Sequence, residues 1–245
     1  MSSEKTTLQK EATFSFLLRA AIPEVTDKKY IPQNEKFAKY FTDSSNESKK
    51  PKRTSNLIWD AIWRAHRDVL TGFRFKDSEF YAGVKDDFDK EINSIALSLF
   101  GLIVDKKNQP LKSQDLIDIL YDIFPEPKIP EEKESIESGK KDAMHNATRF
   151  GAIQKLVNMT LKYLLILKTY GRLPEKSGVE IRIEDCDCPI DSIIIKSLSK
   201  SKENKQFSNY KWTSLTKSQY AEIQRSIEEE PDMSERIMYD FKNWQ

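Results

Sequence analysis

The sixteen residues AIQKLVNMTLKYLLIL, at positions 152–167, decide the fold of this chain. Apolar residues dominate the stretch, and the polar residues within it recur at helical spacing on one side. These polar residues are Gln154, Lys155, Asn158 and Lys162. Gly171 and Pro174 follow and end the pattern. The sequence therefore predicts a largely apolar helix here, with a single polar stripe.

Helical periodicity recurs on both sides of this stretch, which predicts a mainly all-α fold. Residues that favour helix N-termini stand at the start of several of these segments, among them Ser113, Asp191, and either Ser214 or Thr216. The other predicted helices span residues 34–41, 54–70, 84–104, 113–123, 191–198 and 214–229. Residues 179–184 instead alternate between apolar and polar side chains, which predicts a short β element.

Three prolines, at positions 125, 127 and 130, interrupt the helical pattern near the middle of the chain. Proline removes a backbone donor and fixes φ, so three close together favour a connection between folded units. We therefore predict two helical lobes, residues 1–125 and residues 126–245, with the C-terminal helix free to pack back on the first lobe.

The composition indicates a folded protein with a heavily charged surface. Of the 245 residues, 32% are charged and 11% are aromatic, an aromatic content that disordered chains lack. The formal net charge is only +1, so attraction to nucleic acid requires a local basic surface. Two clusters could form such a surface or could simply be solvated: Lys49, Lys50, Lys52 and Arg53, and Lys196, Lys200, Lys202 and Lys205.

The cysteines and the apolar patterning indicate the compartment. Cys186 and Cys188 are too close in sequence for ordinary disulfide geometry, and no further pair completes a zinc site. The nearby acidic residues could bind a divalent ion, but they are expected to form a solvated loop: Glu180, Glu184, Asp185 and Asp187. The chain shows neither a secretory signal nor an apolar run long enough to span a bilayer. We expect a cytoplasmic protein that does not associate with a membrane and binds no metal ion or cofactor. The sequence leaves its oligomeric state open.

Two short motifs carry the functional prediction. In residues 149–157 (RFGAIQKLV), Gly151 is followed four positions later by Lys155, near the start of the apolar helix. In residues 188–191 (CPID), Asp191 stands at the start of the next predicted helix. Together these motifs resemble the helix-hairpin-helix DNA glycosylases, notably the 8-oxoguanine and archaeal members, over about fifty residues. In that family a glycine hairpin precedes a helix with the catalytic lysine, and the catalytic aspartate begins a later helix.

The resemblance implies a DNA base-excision enzyme that acts on a modified or damaged base flipped out of double-stranded DNA. It implies Lys155 as the nucleophile and Asp191 as the catalytic carboxylate. It also implies that Gly151 and Gln154 contact the DNA.

The chain departs from the family pattern in two ways. Phe150 and Ile153 stand where the family has the hairpin proline and the second hairpin glycine. In addition, Lys155 and Asp191 are 36 positions apart, a longer connection than the family uses, which predicts an insertion within residues 168–188.

The residue types suit this reaction on chemical grounds. Breaking the bond between base and sugar builds positive charge on the sugar, which a carboxylate at Asp191 would stabilise. An amine attacks only in its neutral form, and burial beside a helix N-terminus lowers the pKa of a lysine. A Schiff base formed by Lys155 would also permit cleavage of the strand, the AP-lyase reaction.

Each of these two residues also has a purely structural interpretation. Asp191 is a favourable N-cap, and a lysine on a polar helical stripe is commonly solvated. The alternative function is accordingly a non-catalytic α-helical module that binds DNA or protein, such as a phage-defence or regulatory protein. The enzymatic hypothesis makes one geometric demand, namely that the side chains of Lys155 and Asp191 face one another within several ångströms.

Overall fold

The computed structural model describes residues 53–72, 79–126, 148–169, 173, 177–201, 203–231, 233 and 235–243. Within these residues there are seven α-helices and no β-strand, which confirms the predicted all-α class. The helices are α1 (Arg53–Gly72), α2 (Glu79–Asp105), α3 (Ser113–Ile123), α4 (Arg149–Thr169), α5 (Ser192–Leu198), α6 (Lys217–Glu228) and α7 (Arg236–Asn243). Short 3₁₀ turns occur at Ile183–Asp185, Lys205–Asn209 and Trp212–Ser214. The helix predicted at 34–41 and the basic residues Lys49, Lys50 and Lys52 lie outside the described residues.

Helix α4, the stretch from which the fold was predicted, lies at the centre of the molecule. Every residue from Phe150 to Leu164 is buried, and the helix packs against α1, α2 and α3. Its apolar residues explain this burial, because apolar surface leaves water whichever way it faces. Its polar stripe is buried as well, so these side chains find their partners inside the protein.

Helix α1 presents an apolar face to this central helix. Ile58, Ile62, Ala65 and Val69 recur at helical spacing, and each is at most 3% exposed. Full burial of an aliphatic side chain contributes about 1.5–3 kcal/mol, so this row alone favours the packed state substantially. Trp59, on the same helix, is buried and packs edge-on against an aromatic ring of α2, so it belongs to the core.

The helix starts follow the sequence signals at some positions and not at others. Thr216 caps α6, and its side chain and that of Gln219 form a reciprocal capping box. Ser113, by contrast, is the first residue of α3 rather than its N-cap, which is Lys112. The Ser113 hydroxyl instead accepts a hydrogen bond from the backbone N–H of Asp187, at 2.9 Å. A tertiary contact has thus replaced the expected local one.

The β element predicted at 179–184 does not form a strand. Glu180 makes one isolated parallel bridge to Pro110, with the Leu111 N–H donating to the Glu180 carbonyl at 2.8 Å. Pro110 has no N–H to donate, and α3 begins soon after Leu111, so the pairing cannot extend. Residues Ile183–Asp185 then form a 3₁₀ turn. The alternating pattern reflects one-sided burial of this segment rather than a sheet.

Buried hydrophobic residues from both sides of the predicted boundary at residues 125/126 belong to one cluster. It extends from Ile58 in α1 to Phe241 in α7 and includes most of α4 between them. Helix α7 packs against α5 and α6. Among the described helices, none combines the length and the apolar composition needed to cross a lipid bilayer.

Candidate functional site

Lys155 and Asp191 meet in the folded protein although 36 positions separate them. Lys155 lies in the second turn of α4, and Asp191 immediately precedes α5. The distance from Lys155 Nζ to Asp191 Oδ2 is 4.0 Å, within the range of an ion pair. The side chains are 9% and 14% exposed, respectively. The fold therefore brings together the two residues that the enzymatic hypothesis required to face one another.

Asp191 uses its two carboxylate oxygens for different contacts. Oδ1 accepts hydrogen bonds from the backbone N–H groups of Ile193 and Ile194, at 2.8 and 3.1 Å, and so caps α5. Oδ2 is the oxygen that faces Lys155. The structural role and the proposed chemical role are therefore compatible, since capping fixes the carboxylate in place and leaves one oxygen directed at the amine.

The Lys155 ammonium is mostly buried and lies against an aromatic ring. Its Nζ stands 4.2 Å from the centroid of the Trp212 ring, in a cation–π contact. Burial lowers the pKa of Lys155, and the nearby carboxylates of Asp191, Asp68 and Asp240 oppose this effect. The interpretation of Lys155 as a solvated surface lysine is therefore wrong, because partners from other segments cover the polar stripe of α4.

Two buried glutamines hold the segment that ends at Asp191. The Gln154 amide donates to the Ile190 carbonyl at 3.0 Å and accepts from the Ile190 N–H at 3.2 Å. The Gln224 amide of α6 makes the same pair of bonds to Cys188, at 2.6 and 3.2 Å. Each side-chain amide thus supplies the hydrogen bonds that a neighbouring strand would give. These contacts fix residues 188–190 and, with them, the position of Asp191.

The N–H groups that open α4 are bonded within the protein. The Glu126 carboxylate accepts from the N–H groups of Arg149 and Phe150, at 3.0 Å each, and Thr148 Oγ1 accepts from that of Gly151 at 3.1 Å. An acidic group at the positive end of a helix is favourable for the helix dipole. These donors are occupied in this structure, whereas an anion-binding helix start presents them to its ligand.

Gly151 allows another segment to approach α4 closely. A Cβ at this position would lie 2.5 Å from the carbonyl oxygen of Trp212, a distance that side-chain carbons do not tolerate. The glycine therefore provides space for the Trp212 backbone. Together with the full burial of Gln154, this shows that the two residues expected to contact DNA make internal contacts here.

Comparison of the chain with protein-family models, with curated proteins and with solved structures found no match.

Trp212 is a site residue that the sequence did not reveal. Its ring covers the Lys155 ammonium and also packs on Gly72, where an added Cβ would collide with the indole. Its position 21 residues beyond Asp191 gives no local signal, because the contact depends on how the chain returns to α4. Gly72, the last residue of α1, makes room for the ring because it has no side chain.

A second buried ion pair lies one heptad further along α4. Lys162 pairs with Asp240 of α7, their side chains are 0% and 1% exposed, and the ammonium lies 5.2 Å from the Phe241 ring centroid. Lys162 repeats the arrangement of Lys155, an amine beside a carboxylate and an aromatic ring. The spacing of seven residues on one helix face was visible in the sequence, but Asp240 as a partner was not.

The acidic residues before Asp191 are not all solvated, contrary to expectation. Asp187 is 3% exposed, pairs with Arg236 at 2.7 Å and accepts a hydrogen bond from the Tyr220 hydroxyl at 2.6 Å. Cys186 and Cys188 are buried free thiols, and burial raises the pKa of Cys186 to about 12, so both suit a structural role. Within the described part of the chain, no group of three or more acidic, histidine or cysteine side chains is arranged to hold a metal ion.

Proposed function

We propose that this protein is a DNA base-excision enzyme, a glycosylase with strand-cleaving activity, that uses Lys155 and Asp191. The observation that carries the proposal is the 4.0 Å separation of Lys155 Nζ from Asp191 Oδ2 in a mostly buried setting. The two residues belong to elements distant in sequence, so their proximity is a product of the tertiary fold. The resemblance of both motifs to helix-hairpin-helix glycosylases supplies the reaction class.

The environment of Lys155 supports its use as a nucleophile. Because burial lowers its pKa, a larger fraction of the amine is neutral at a given pH than for a surface lysine. In the proposed step the Nζ lone pair forms a bond to C1′ of the sugar. The glycosidic bond breaks, and its electron pair leaves with the base, which takes a proton from solvent. Asp191 then accepts the proton that Nζ loses. It passes this proton to O4′ as the C1′–O4′ bond breaks, which opens the sugar ring and leaves a protonated imine between Nζ and C1′.

Trp212 governs access to the amine in this proposal. Its ring lies against Lys155, and its side chain is itself mostly buried. A flipped nucleotide therefore reaches Nζ by displacing the indole, which would then offer a surface on which the base can stack. Gly151 and Gln154 serve as packing and positioning residues, so we assign DNA contact to neither of them.

A non-catalytic α-helical module that binds protein or DNA is the second candidate. The observation that favours it is the occupation of the first N–H groups of α4 by Glu126 and Thr148, which removes the family's usual phosphate-binding feature. In this case Lys155 and Asp191 would form a structural ion pair. The two candidates differ in whether a covalent intermediate forms on Lys155.

Borohydride trapping on duplex DNA with abasic and damaged sites tests the enzymatic proposal. Borohydride reduces an imine to a stable amine, so a protein–DNA adduct is expected from the wild type and not from Lys155→Ala. Asp191→Asn keeps an N-cap residue of similar strength while removing the charge. We expect this variant to form the adduct more slowly, by about a hundredfold or more.

Lys168→Ala is the matched control, since it removes an exposed lysine near the other end of the same helix. Adduct formation by this variant should equal that of the wild type. Absence of any adduct across the lesion panel, with the wild type folded, would reject the enzymatic proposal. An adduct that persists in Lys155→Ala would assign the nucleophile to another amine.

A further inference from the structure

The segment 192–211 leaves the candidate site at Asp191 and returns to it at Trp212. It contains five lysines and one glutamate, which gives it a formal net charge of +4. The whole chain carries +1, so all other residues together carry −3. The protein therefore concentrates positive charge on the one segment whose two flanking residues both contact Lys155.

The fold of this segment directs most of its apolar side chains inward and its described lysines outward. Ile194, Leu198 and Phe207 are at most 1% exposed and anchor the segment to the core. Helix α5 packs against the 3₁₀ turn Lys205–Asn209, so the two halves of the segment lie side by side. The four described lysines, all exposed, form what we call the basic surface: Lys196, Lys200, Lys205 and Lys211.

The lysines of the basic surface have no ion-pair partner among the described residues. Three of the exposed lysines outside the segment do have one, at 2.8 to 3.9 Å: Lys90 with Asp87, Lys112 with Asp185, and Lys217 with Asp118. An ammonium group without a neighbouring carboxylate is available to a polyanion at lower electrostatic cost. The charge of the segment is therefore available to an external partner rather than neutralised within the fold.

We infer that the basic surface binds the phosphodiester backbone of duplex DNA. The inference rests on the proposed function and assigns the face on which its substrate docks. Lysines act as point charges that contact phosphates without selecting a base sequence, as an enzyme that searches for a lesion requires. Because Asp191 and Trp212 flank the segment, a backbone held on the basic surface lies next to the amine that would attack the sugar.

Fluorescence anisotropy with an undamaged labelled duplex tests the inference by measuring affinity across a range of KCl concentrations. The quadruple variant carries Lys196→Gln, Lys200→Gln, Lys205→Gln and Lys211→Gln. We expect its salt slope to be smaller than that of the wild type by about 3.6, at about 0.9 for each phosphate that the variant no longer neutralises. Between 50 and 200 mM salt, neutralisation of these phosphates alone accounts for about a hundredfold change in affinity.

A matched quadruple variant controls for the overall change in charge. It carries Lys90→Gln, Lys107→Gln, Lys112→Gln and Lys217→Gln, which are exposed lysines outside the segment. We expect it to bind within about threefold of the wild type, because its lysines are outside the proposed contact face. Replacing the four lysines of the basic surface with arginine should preserve binding, because the charges remain.

The outcomes separate this inference from the proposed chemistry. DNA binding that depends on the basic surface, without a trapped adduct, supports the inference and rejects the enzyme. An adduct in the wild type, together with unchanged binding by the first quadruple variant, overturns the inference and leaves the enzyme. Three other outcomes also overturn the inference. They are an equal loss of DNA affinity in both quadruple variants, no binding to duplex DNA, and binding to anionic lipid vesicles in place of DNA.

Discussion

Each buried charged side chain considered in this protein is enclosed by specific partners, and these partners determine its structural and chemical role. Asp191 illustrates this at the level of single atoms, since Oδ1 caps α5 while Oδ2 faces Lys155. Asp191 is therefore an N-cap, and this structural role does not exclude a chemical role for its second oxygen. The environment of the lysine is set by Asp191 and Trp212, which belong to other segments.

His66 is a buried imidazole that predicts a measurable acid sensitivity. It lies on α1, is 4% exposed and stacks on Trp63 with ring centroids 4.9 Å apart. Among the described residues, neither of its ring nitrogens has a hydrogen-bond partner. Burial lowers the pKa of His66 to about 4, because the charged form would lose its hydration.

We predict that His66→Phe reduces the loss of stability between pH 7 and pH 5. The folded-state pKa lies below the unfolded value of 6.5, so as the pH falls the unfolded chain binds the proton first and unfolding is favoured. This effect lowers the free energy of unfolding by about 2 kcal/mol at pH 5 and is complete below about pH 4. Urea denaturation of both proteins at the two pH values measures it. An identical pH dependence in wild type and variant would contradict the assignment.

At the scale of elements, the connection from the 3₁₀ turn to α5 is held by side-chain amides rather than by a sheet. Gln224→Leu would leave the N–H and the carbonyl of Cys188 buried without their partners. We predict a loss of about 2–6 kcal/mol in the free energy of unfolding, since each of the two orphaned buried groups costs about 1–3 kcal/mol. Chemical denaturation measures this loss. Gln206→Leu, at an exposed position of the 192–211 segment, serves as the control and should change stability by no more than about 0.5 kcal/mol.

The same variant, Gln224→Leu, tests whether Gln224 positions Asp191 or only stabilises the fold. If Gln224 fixes Asp191 opposite Lys155, Gln224→Leu should lower the pKa of Lys155 further, because the Asp191 charge that raises it is displaced. The pH dependence of reductive methylation at Lys155 reports this pKa. A stability loss without any change in that pKa would show that the glutamine supports the fold alone.

Several helices could be predicted from sequence because their causes are local. The apolar spacing of α1 and α4 and the capping box at Thr216 each act within a few residues. Ser113 and residues 179–184 behave differently, because a partner distant in sequence determines their structure. The Ser113 hydroxyl binds the Asp187 N–H, and Pro110 limits the pairing of Glu180 to one bridge. Local pattern contains no information about such partners.

At the scale of the whole molecule, a buried ion pair attaches the C-terminal helix to the central one. Lys162 of α4 and Asp240 of α7 are almost completely excluded from water. We predict that Asp240→Ala lowers the free energy of unfolding by about 3–5 kcal/mol, since it leaves the Lys162 ammonium buried without its counter-charge. Thermal or chemical denaturation measures the change.

The combined variant Lys162→Met with Asp240→Leu is the control for this prediction. It removes both charges and fills the space with apolar atoms, so we expect stability within about 1–2 kcal/mol of the wild type. A double variant as unstable as Asp240→Ala would show that the ion pair itself, and not the uncompensated charge, is what α7 requires.

The sequence by itself determined that this protein is mainly helical with its most apolar helix at residues 152–167, that Asp191 stands at the start of a helix, and that Lys155 lies on a polar stripe. These properties follow from apolar periodicity and capping, which depend on neighbours along the chain. Only the tertiary structure decided that the stripe is buried and that Lys155 faces Asp191 and Trp212. It also decided that Gly151 and Gln154 serve internal packing. The physical reason is that the partner of a buried polar group comes from whichever segment the fold places beside it, and sequence spacing does not encode that choice.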